Sequence, residues 1–310
     1  MADTFSADVL LHLSTSLAAA VDRAARSVVA VHARDRLGAS GVLWRDGVVV
    51  AASDAVERDE DLAVTLPDGQ RLTAALAGRD PTTDVAVLRV ESTQGVTVTE
   101  TGDPAALRPG HFALAVGRRG DEGAAVVASL GIVATSAGPW RSMRGGAIDR
   151  LIRLDLRLDP TAEGGALVDA AGKTMGIVVP GPRRRVLAIP ATTIDRVADQ
   201  LLAKGRIPRG YVGLGMQRVR LDAKSAQSLS PPRRMGVIVL SVDSDGPAAR
   251  AGLMLGDVLT TWGGSPVADV RDIMERLGPE SVGTAVELGV IRAGTPTRAS
   301  VAIVERAAAT

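Results

Sequence analysis

The 310-residue chain has no cysteine, which excludes disulfides, thiolate metal sites and a cysteine nucleophile. Aromatic side chains are scarce: two Phe, three Trp and one Tyr, together 2% of the chain. Stacking platforms for nucleic-acid bases need more than that. Charge of one sign is also missing, since 36 Lys and Arg stand against 35 Asp and Glu and leave a net +1. No global field holds a polyanion or an anionic membrane, and no nucleic-acid partner is expected. No apolar run is long and uninterrupted enough to span a bilayer. No cationic segment precedes the first apolar stretch; Asp3 and Asp8 stand there instead, unlike a signal peptide. The compartment stays open: cytoplasmic if Met1 is the native start, periplasmic or otherwise extracytoplasmic if an export or anchor segment was trimmed.

What is present is a foldable, turn-rich chain. Hydrophobic residues make up 46% and charged residues 23%, with 34 Gly and 16 Pro, a balance that suits about two β-rich domains. Residues 1–26 read as an amphipathic helix. Ser6 is its candidate N-cap, and Leu10, Leu13, Leu17, Val21 and Ala24 form its stripe. That stripe packs on the domain behind it or serves an oligomer contact. From Ser27 to Ile189, short apolar strands alternate with turns, including the hairpin signals Asp46-Gly47 and Asp68-Gly69. Periodicity leaves sandwich and barrel both open. A helix capped by Thr192 or Thr193 follows, with Ile194, Val197, Leu201 and Leu202 on its apolar face and Gly205 as its stop. Domains are therefore expected over 27–205 and 206–310. The second reads as a small α+β unit with strands Tyr211–Val219, Val237–Val242, Ala285–Arg292 and Arg298–Val304.

Three segments carry a family resemblance. Ala39-Ser40-Gly41-Val42 leads to the Asp46-Gly47 turn and a strand ending Ala51-Ala52-Ser53-Asp54-Ala55-Val56. Asp80-Pro81-Thr82-Thr83-Asp84-Val85-Ala86-Val87-Leu88 follows. Asp159-Pro160-Thr161-Ala162-Glu163-Gly164-Gly165-Ala166-Leu167 is the third. In order and content these resemble the G-S-G-V, T-N-x-H-V-V, D-P-x-T-D-L-A-V-L and N-P-G-N-S-G-G-A-L segments of HtrA-type, trypsin-like serine proteases. The resemblance implies an all-β double barrel. It also implies a His–Asp–Ser triad, in which His is the base, Asp orients it and Ser attacks. Only the Asp is kept, as Asp84; Asp54 stands at the His position and Glu163 at the Ser position. Thr161 and Ala162 replace the Gly-Asn of the oxyanion loop, and Thr161 is expected to distort it. Loss of one triad member costs about four to six orders of magnitude in proteases, and here two are replaced.

The resemblance therefore implies an inactive protease homologue. His12, His32 and His111 match no base position, and Ser53 has no visible base beside it. The rival readings are a residual serine endopeptidase, or a hydrolase that uses a cation held by Asp54, Asp84 and Glu163. A relic carboxylate cluster paired with Arg157 or Arg185 is the alternative to the cation, and no cofactor is expected.

The second domain resembles a PDZ module through Arg209-Gly210-Tyr211-Val212-Gly213-Leu214-Gly215. Pro247-Ala248-Ala249-Arg250-Ala251-Gly252-Leu253 and Leu255-Gly256-Asp257-Val258-Leu259 support it. Such a module takes peptide or protein C-termini by strand addition. Tyr211, Val212, Gly213, Leu214, Met216, Ile273 and Leu277 are its candidate groove residues, some of which can equally be core. A homo-oligomer is an open option.

Overall fold

The structure is a computed structural model that describes residues 7–34, 38–91, 93, 95–120, 125–227, 229 and 232–305. It divides into two compact units, Met1–Ile207 and Pro208–Thr310.

The first unit opens with α1 (Ala7–Ala25). Its expected cap Ser6 lies outside the described residues. The C-terminal half of α1 packs down: Ala20 and Ala24 are buried and Leu17 and Val21 lie against the core. Leu10 and Leu13 do not join that stripe and are exposed, together with Val9 and Leu11. The strands β1 (Val28–His32), β2 (Ala39–Arg45), β3 (Val48–Ala51), β4 (Leu62–Thr65), β5 (Arg71–Asp80) and β6 (Val85–Val90) then close a barrel in the order β1-β2-β3-β6-β5-β4. Their Val- and Ala-rich runs are buried almost throughout, as closure without free edges allows.

A second barrel follows. Its strands are β7 (Phe112–Arg118) and β8 (Val126–Ala137), then β11 (Leu151–Asp155), β12 (Ala166–Val168), β13 (Thr174–Pro180) and β14 (Val186–Pro190). They close in the order β11-β14-β13-β12-β7-β8. A small hairpin of β9 (Trp140–Arg141) and β10 (Ala147–Ile148) stands out from it. Alternation on β7 explains how the barrels join. Ala113 and Ala115 point into the second barrel's own core, whereas Leu114 and Val116 join the core shared with β1, β2 and α1. Trypsin-like double-barrel architecture, which periodicity left undecided, is what forms.

Helix α2 (Ala191–Lys204) closes the unit by burying Ile194, Val197, Ala198 and Leu201, and it ends at Gly205 in the left-handed region (φ 71°). Its cap differs from expectation. Pro190 is the N-cap, with no side-chain bond, and Thr193 instead accepts a hydrogen bond from the Asp149 N–H at 2.9 Å. Proline's fixed φ suits the extended N-cap conformation, φ −69° and ψ 152°.

The second unit contains β15 (Gly210–Tyr211), β16 (Leu214–Arg220), α3 (Ala223–Gln227), β17 (Met235–Val242) and α4 (Pro247–Arg250). Then come β18 (Val258–Trp262), β19 (Ser265–Pro266), α5 (Val270–Met274), β20 (Ala285–Arg292), β21 (Thr295–Ala302) and β22 (Val304–Glu305). The main sheet runs β16-β17-β18-β20-β21, so β16 is an edge strand. The single strand expected over Tyr211–Val219 is broken in two at Gly213, whose φ of 77° turns the chain between β15 and β16. The Leu-Gly-Asp segment has a structural reason: Asp257, 1% exposed, accepts both arms of the Arg292 guanidinium at 2.8 and 2.7 Å and the Met254 N–H at 2.9 Å.

Candidate functional site

The Asp80–Asp84 turn explains its own sequence. The Asp80 carboxylate accepts the Thr82 N–H at 3.1 Å and the Thr82 and Thr83 hydroxyls at 2.7 and 2.8 Å. This self-contained loop throws Asp84 into the left-handed region, φ 59°, which Asp tolerates better than most residues. From there its carboxylate accepts the Asp54 backbone N–H at 2.9 Å, and its carbonyl accepts the Ser53 N–H at 3.3 Å. Desolvation pushes the Asp84 carboxyl up to about 7; the charges of Asp54 and Glu163 push the same way, against the Asp54 N–H and Arg144.

Asp54 sits on a single 3₁₀ turn, Ser53–Ala55. Its carboxylate receives Arg144 Nη1 at 2.6 Å, and the same nitrogen donates to the Pro81 carbonyl at 3.1 Å. Arg144 comes from the β9–β10 hairpin, which reaches across from the second barrel. Ser142 Oγ donates to the Thr82 carbonyl at 2.5 Å and helps anchor that hairpin loop.

Glu163 follows a 3₁₀ turn, Pro160–Ala162, capped by Asp159. The Asp159 carboxylate accepts the Thr161 N–H at 2.9 Å and the Thr161 hydroxyl at 2.6 Å, and these bonds hold it below the usual carboxylate range. Thr161 does not occupy the left-handed region, and the loop is an ordinary capped turn rather than a strained one. Ser40 fastens it to the first barrel: its N–H donates to the Glu163 carbonyl at 2.9 Å and its hydroxyl to the Thr161 carbonyl at 2.6 Å. Gly164 is needed next, because its φ is 78° and a Cβ would strike the Ser40 carbonyl. The Glu163 carboxylate meets Arg34 Nη2 at 2.8 Å, with both side chains nearly buried at 12% and 14% exposure.

The fold thus gathers Asp54, Asp84 and Glu163 into one electrostatic neighbourhood, but the guanidiniums are not the expected ones. Arg34 and Arg144 take the places assigned to Arg157 and Arg185, and Arg34–Glu163 and Arg144–Asp54 are contacts across 129 and 90 residues. No local pattern marks such pairs. The Asp159–Thr161 cap carries a local signal, Asp followed two residues later by Thr, but the family resemblance marks Thr161 only as a distortion of the loop. Among the described residues, no group of three or more Asp, Glu or His could hold a metal ion. None of the three histidines reaches the cluster's hydrogen bonds. His12 lies on α1, His111 precedes β7, and His32 ends β1, where its ring pairs with the Thr65 hydroxyl at 2.8 Å.

In the second unit the seven expected groove residues separate. Val212, Ile273 and Leu277 are buried core, a correction to their assignment as open pocket lining, since sheet and helix cover them. Leu214 and Met216 are half-buried on β16, Gly213 makes the turn before it, and the Tyr211 hydroxyl donates to Asp243 at 2.9 Å. β16 pairs with β17 on one side only, and α5 packs against it. A strand edge beside a helix, opening from a glycine turn, suits the addition of an extended peptide.

The comparisons agree with this geometry. Residues 39–177 match the family model of the trypsin-like peptidase domain, and residues 210–303 match that of the PDZ domain. The chain is HtrA-type in make-up, a trypsin-like peptidase domain followed by a PDZ domain. It is 34% identical over 262 residues to a probable periplasmic serine endoprotease DegP-like of Brucella suis, covering 82% of this chain and 50% of that protein. The DegP-like protein of Pseudomonas fulva is 32% identical over 273 residues, 86% of this chain and 55% of its own length. The chain therefore spans about half the length of the curated relatives it matches. Among solved structures, the HtrA-type protease AlgW with a decapeptide superimposes with a TM-score of 0.74 at 26% identity, covering 94% of this chain and 99% of that one. The serine endoprotease from Yersinia pestis gives 0.72 at 26% identity, with 93% and 97% covered.

Proposed function

We propose that this HtrA-type protein does not cleave peptide bonds and works as a peptide- or protein-binding scaffold or regulator through its PDZ domain. The observation that carries the reading is the Glu163 carboxylate at the nucleophile position, ion-paired with Arg34 at 2.8 Å. A carboxylate has no hydroxyl proton to give up, and no imidazole faces it to take one. The Thr161 N–H points at Asp159, so it is not free to receive an oxyanion. Asp84 keeps its place but orients a backbone N–H rather than a base. The PDZ edge retains its open strand, and AlgW, a relative in structure, was solved with a decapeptide.

The rival reading, a residual endopeptidase or cation-assisted hydrolase, rests on the endoprotease names of the relatives and on Asp84, whose carboxyl titrates near 7. One pair of measurements separates the two. Purified protein incubated with casein and with a peptide library is expected to release no fragments above a buffer control; sustained cleavage contradicts the proposal. Ca²⁺, Mg²⁺ and Mn²⁺ are expected to leave the Tm unchanged, because a cation bound only by the native state would raise it by mass action. The names of the relatives favour a periplasmic setting.

A further inference from the structure

We propose that the peptide taken by the β16 edge is a C-terminal tail carrying acidic residues about four to six positions before its end; this rests on the PDZ reading above. The turn at Gly213 anchors the tail's terminal carboxylate, so the rest of the tail runs back along β16 from Leu214 toward Arg220. At about 3.4 Å per residue, each tail residue faces one further residue of the strand. The first part of that track is apolar: Leu214 and Met216 lie against the core on the face that α5 covers.

Beyond Met216 the character changes. Arg218 follows at the same alternation, its side chain 58% exposed and held only loosely, 3.9 Å from Asp269 at the N-cap of α5. Arg220 ends the strand and lines a pocket with Leu221, Pro232, Arg233 and Arg234. Arg233 donates to the Thr260 carbonyl at 3.1 Å, which leaves its charge unneutralised; none of the described ion pairs involves Arg220, Arg233 or Arg234. Three guanidiniums around one pocket repel one another unless an anion joins them, and guanidinium is the side chain best shaped for carboxylates. The pocket lies at the end of the strand where the fourth to sixth residues before the terminus arrive. An apolar terminal residue followed upstream by Asp or Glu complements both parts of the edge.

The test uses the full chain and three fluorescent decapeptides with a free carboxyl terminus and an identical apolar last four residues. They carry Glu, Gln or Lys at the three positions before those four, and binding is read by anisotropy at low and high salt. The Glu peptide is expected to bind about tenfold more tightly than the Gln peptide, and the Lys peptide most weakly. The Glu advantage over the Gln peptide is expected to shrink in high salt and in R220Q/R234Q; an advantage that is undiminished in both overturns the acidic preference. Equal binding of all three peptides overturns the acidic preference while leaving the PDZ reading intact. Failure of all three to bind, with the far-ultraviolet spectrum confirming a folded protein, overturns the PDZ reading and the preference with it.

Discussion

In the first unit, the groups aligned with the family's catalytic motifs are each engaged by a partner: Asp54 by Arg144, Glu163 by Arg34, the Thr161 N–H by Asp159. In the second unit, the corresponding surface is left open. β16 has a neighbour on one side only, and the arginines beyond it have no carboxylate of their own among the described ion pairs. Both units keep the backbone devices of their family: the Asp80 loop and Gly164 in one, the Gly213 turn and Asp257 in the other. What differs is whether a side chain of the same molecule occupies the site. On the proposed reading the barrels serve for their shape, and the edge that is free to pair is the working surface.

Opening one of the closed pairs is expected to have the largest effect. Glu163→Ala leaves the Arg34 charge nearly buried without its counter-ion, and the expected loss is about 3 kcal/mol in urea unfolding. A swap of the two charges, R34E with E163R, is expected to recover part of it. If Glu163→Ala leaves the unfolding midpoint in place, the pair is ornamental and the first unit's site is not closed by it. On the open side, amidating a bound peptide's terminus removes the charge that the Gly213 turn receives. Calorimetry is expected to read a loss of about 2 kcal/mol, some thirtyfold. Equal affinity for acid and amide forms makes the turn a structural feature only.

The legibility of the two units in the sequence follows the same division. Strands of the first unit such as Val28–His32, Val85–Val90 and Ala166–Val168 fall in the stretch read as short strands between turns, because short Val-rich runs between turn signals admit few alternatives. The stop at Gly205 was readable for a similar reason, since a left-handed residue ends a helix. Val258–Trp262 was missed as a strand: its Val-Leu-Thr-Thr-Trp run follows directly on the Leu-Gly-Asp motif and lacks clean alternation. Positions Asp54, Asp84 and Glu163 could be placed by their motifs alone. Their partners could not, because Arg34 and Arg144 reach them through tertiary folding, and a guanidinium in a loop carries no mark of its target. Burial was the other blind spot. Ile273 and Leu277 share the composition of groove residues and of core, and only packing separates the two.

Asp84 is held protonated to about 7 in the folded protein, against an ordinary value of 3.8. Between those two values the folded state binds more protons than the unfolded chain, so the group's stabilising contribution is complete below about pH 4 and lost as pH rises through 7. Asp84→Asn removes the ionisation and is expected to stabilise the protein by roughly 1–2 kcal/mol at pH 8, with the gain vanishing near pH 4. A gain of the same size at both pH values contradicts the assignment. Smaller still is Arg144→Ala. Both side chains of its pair with Asp54 are about half exposed, 54% and 49%, and the expected cost is below about 1 kcal/mol, read from the Tm. A loss as large as that of Glu163→Ala would place the closure at the hairpin rather than at the Arg34 pair.

The central claim, that the trypsin-like unit holds no activated nucleophile, is tested most directly by treating the folded protein with a fluorophosphonate and weighing it intact. An unchanged mass is expected, since Glu163 has no hydroxyl and Ser53 and Ser40 are buried, Ser40 with its hydroxyl engaged. A phosphonyl adduct on any serine, absent from the denatured control, would contradict it.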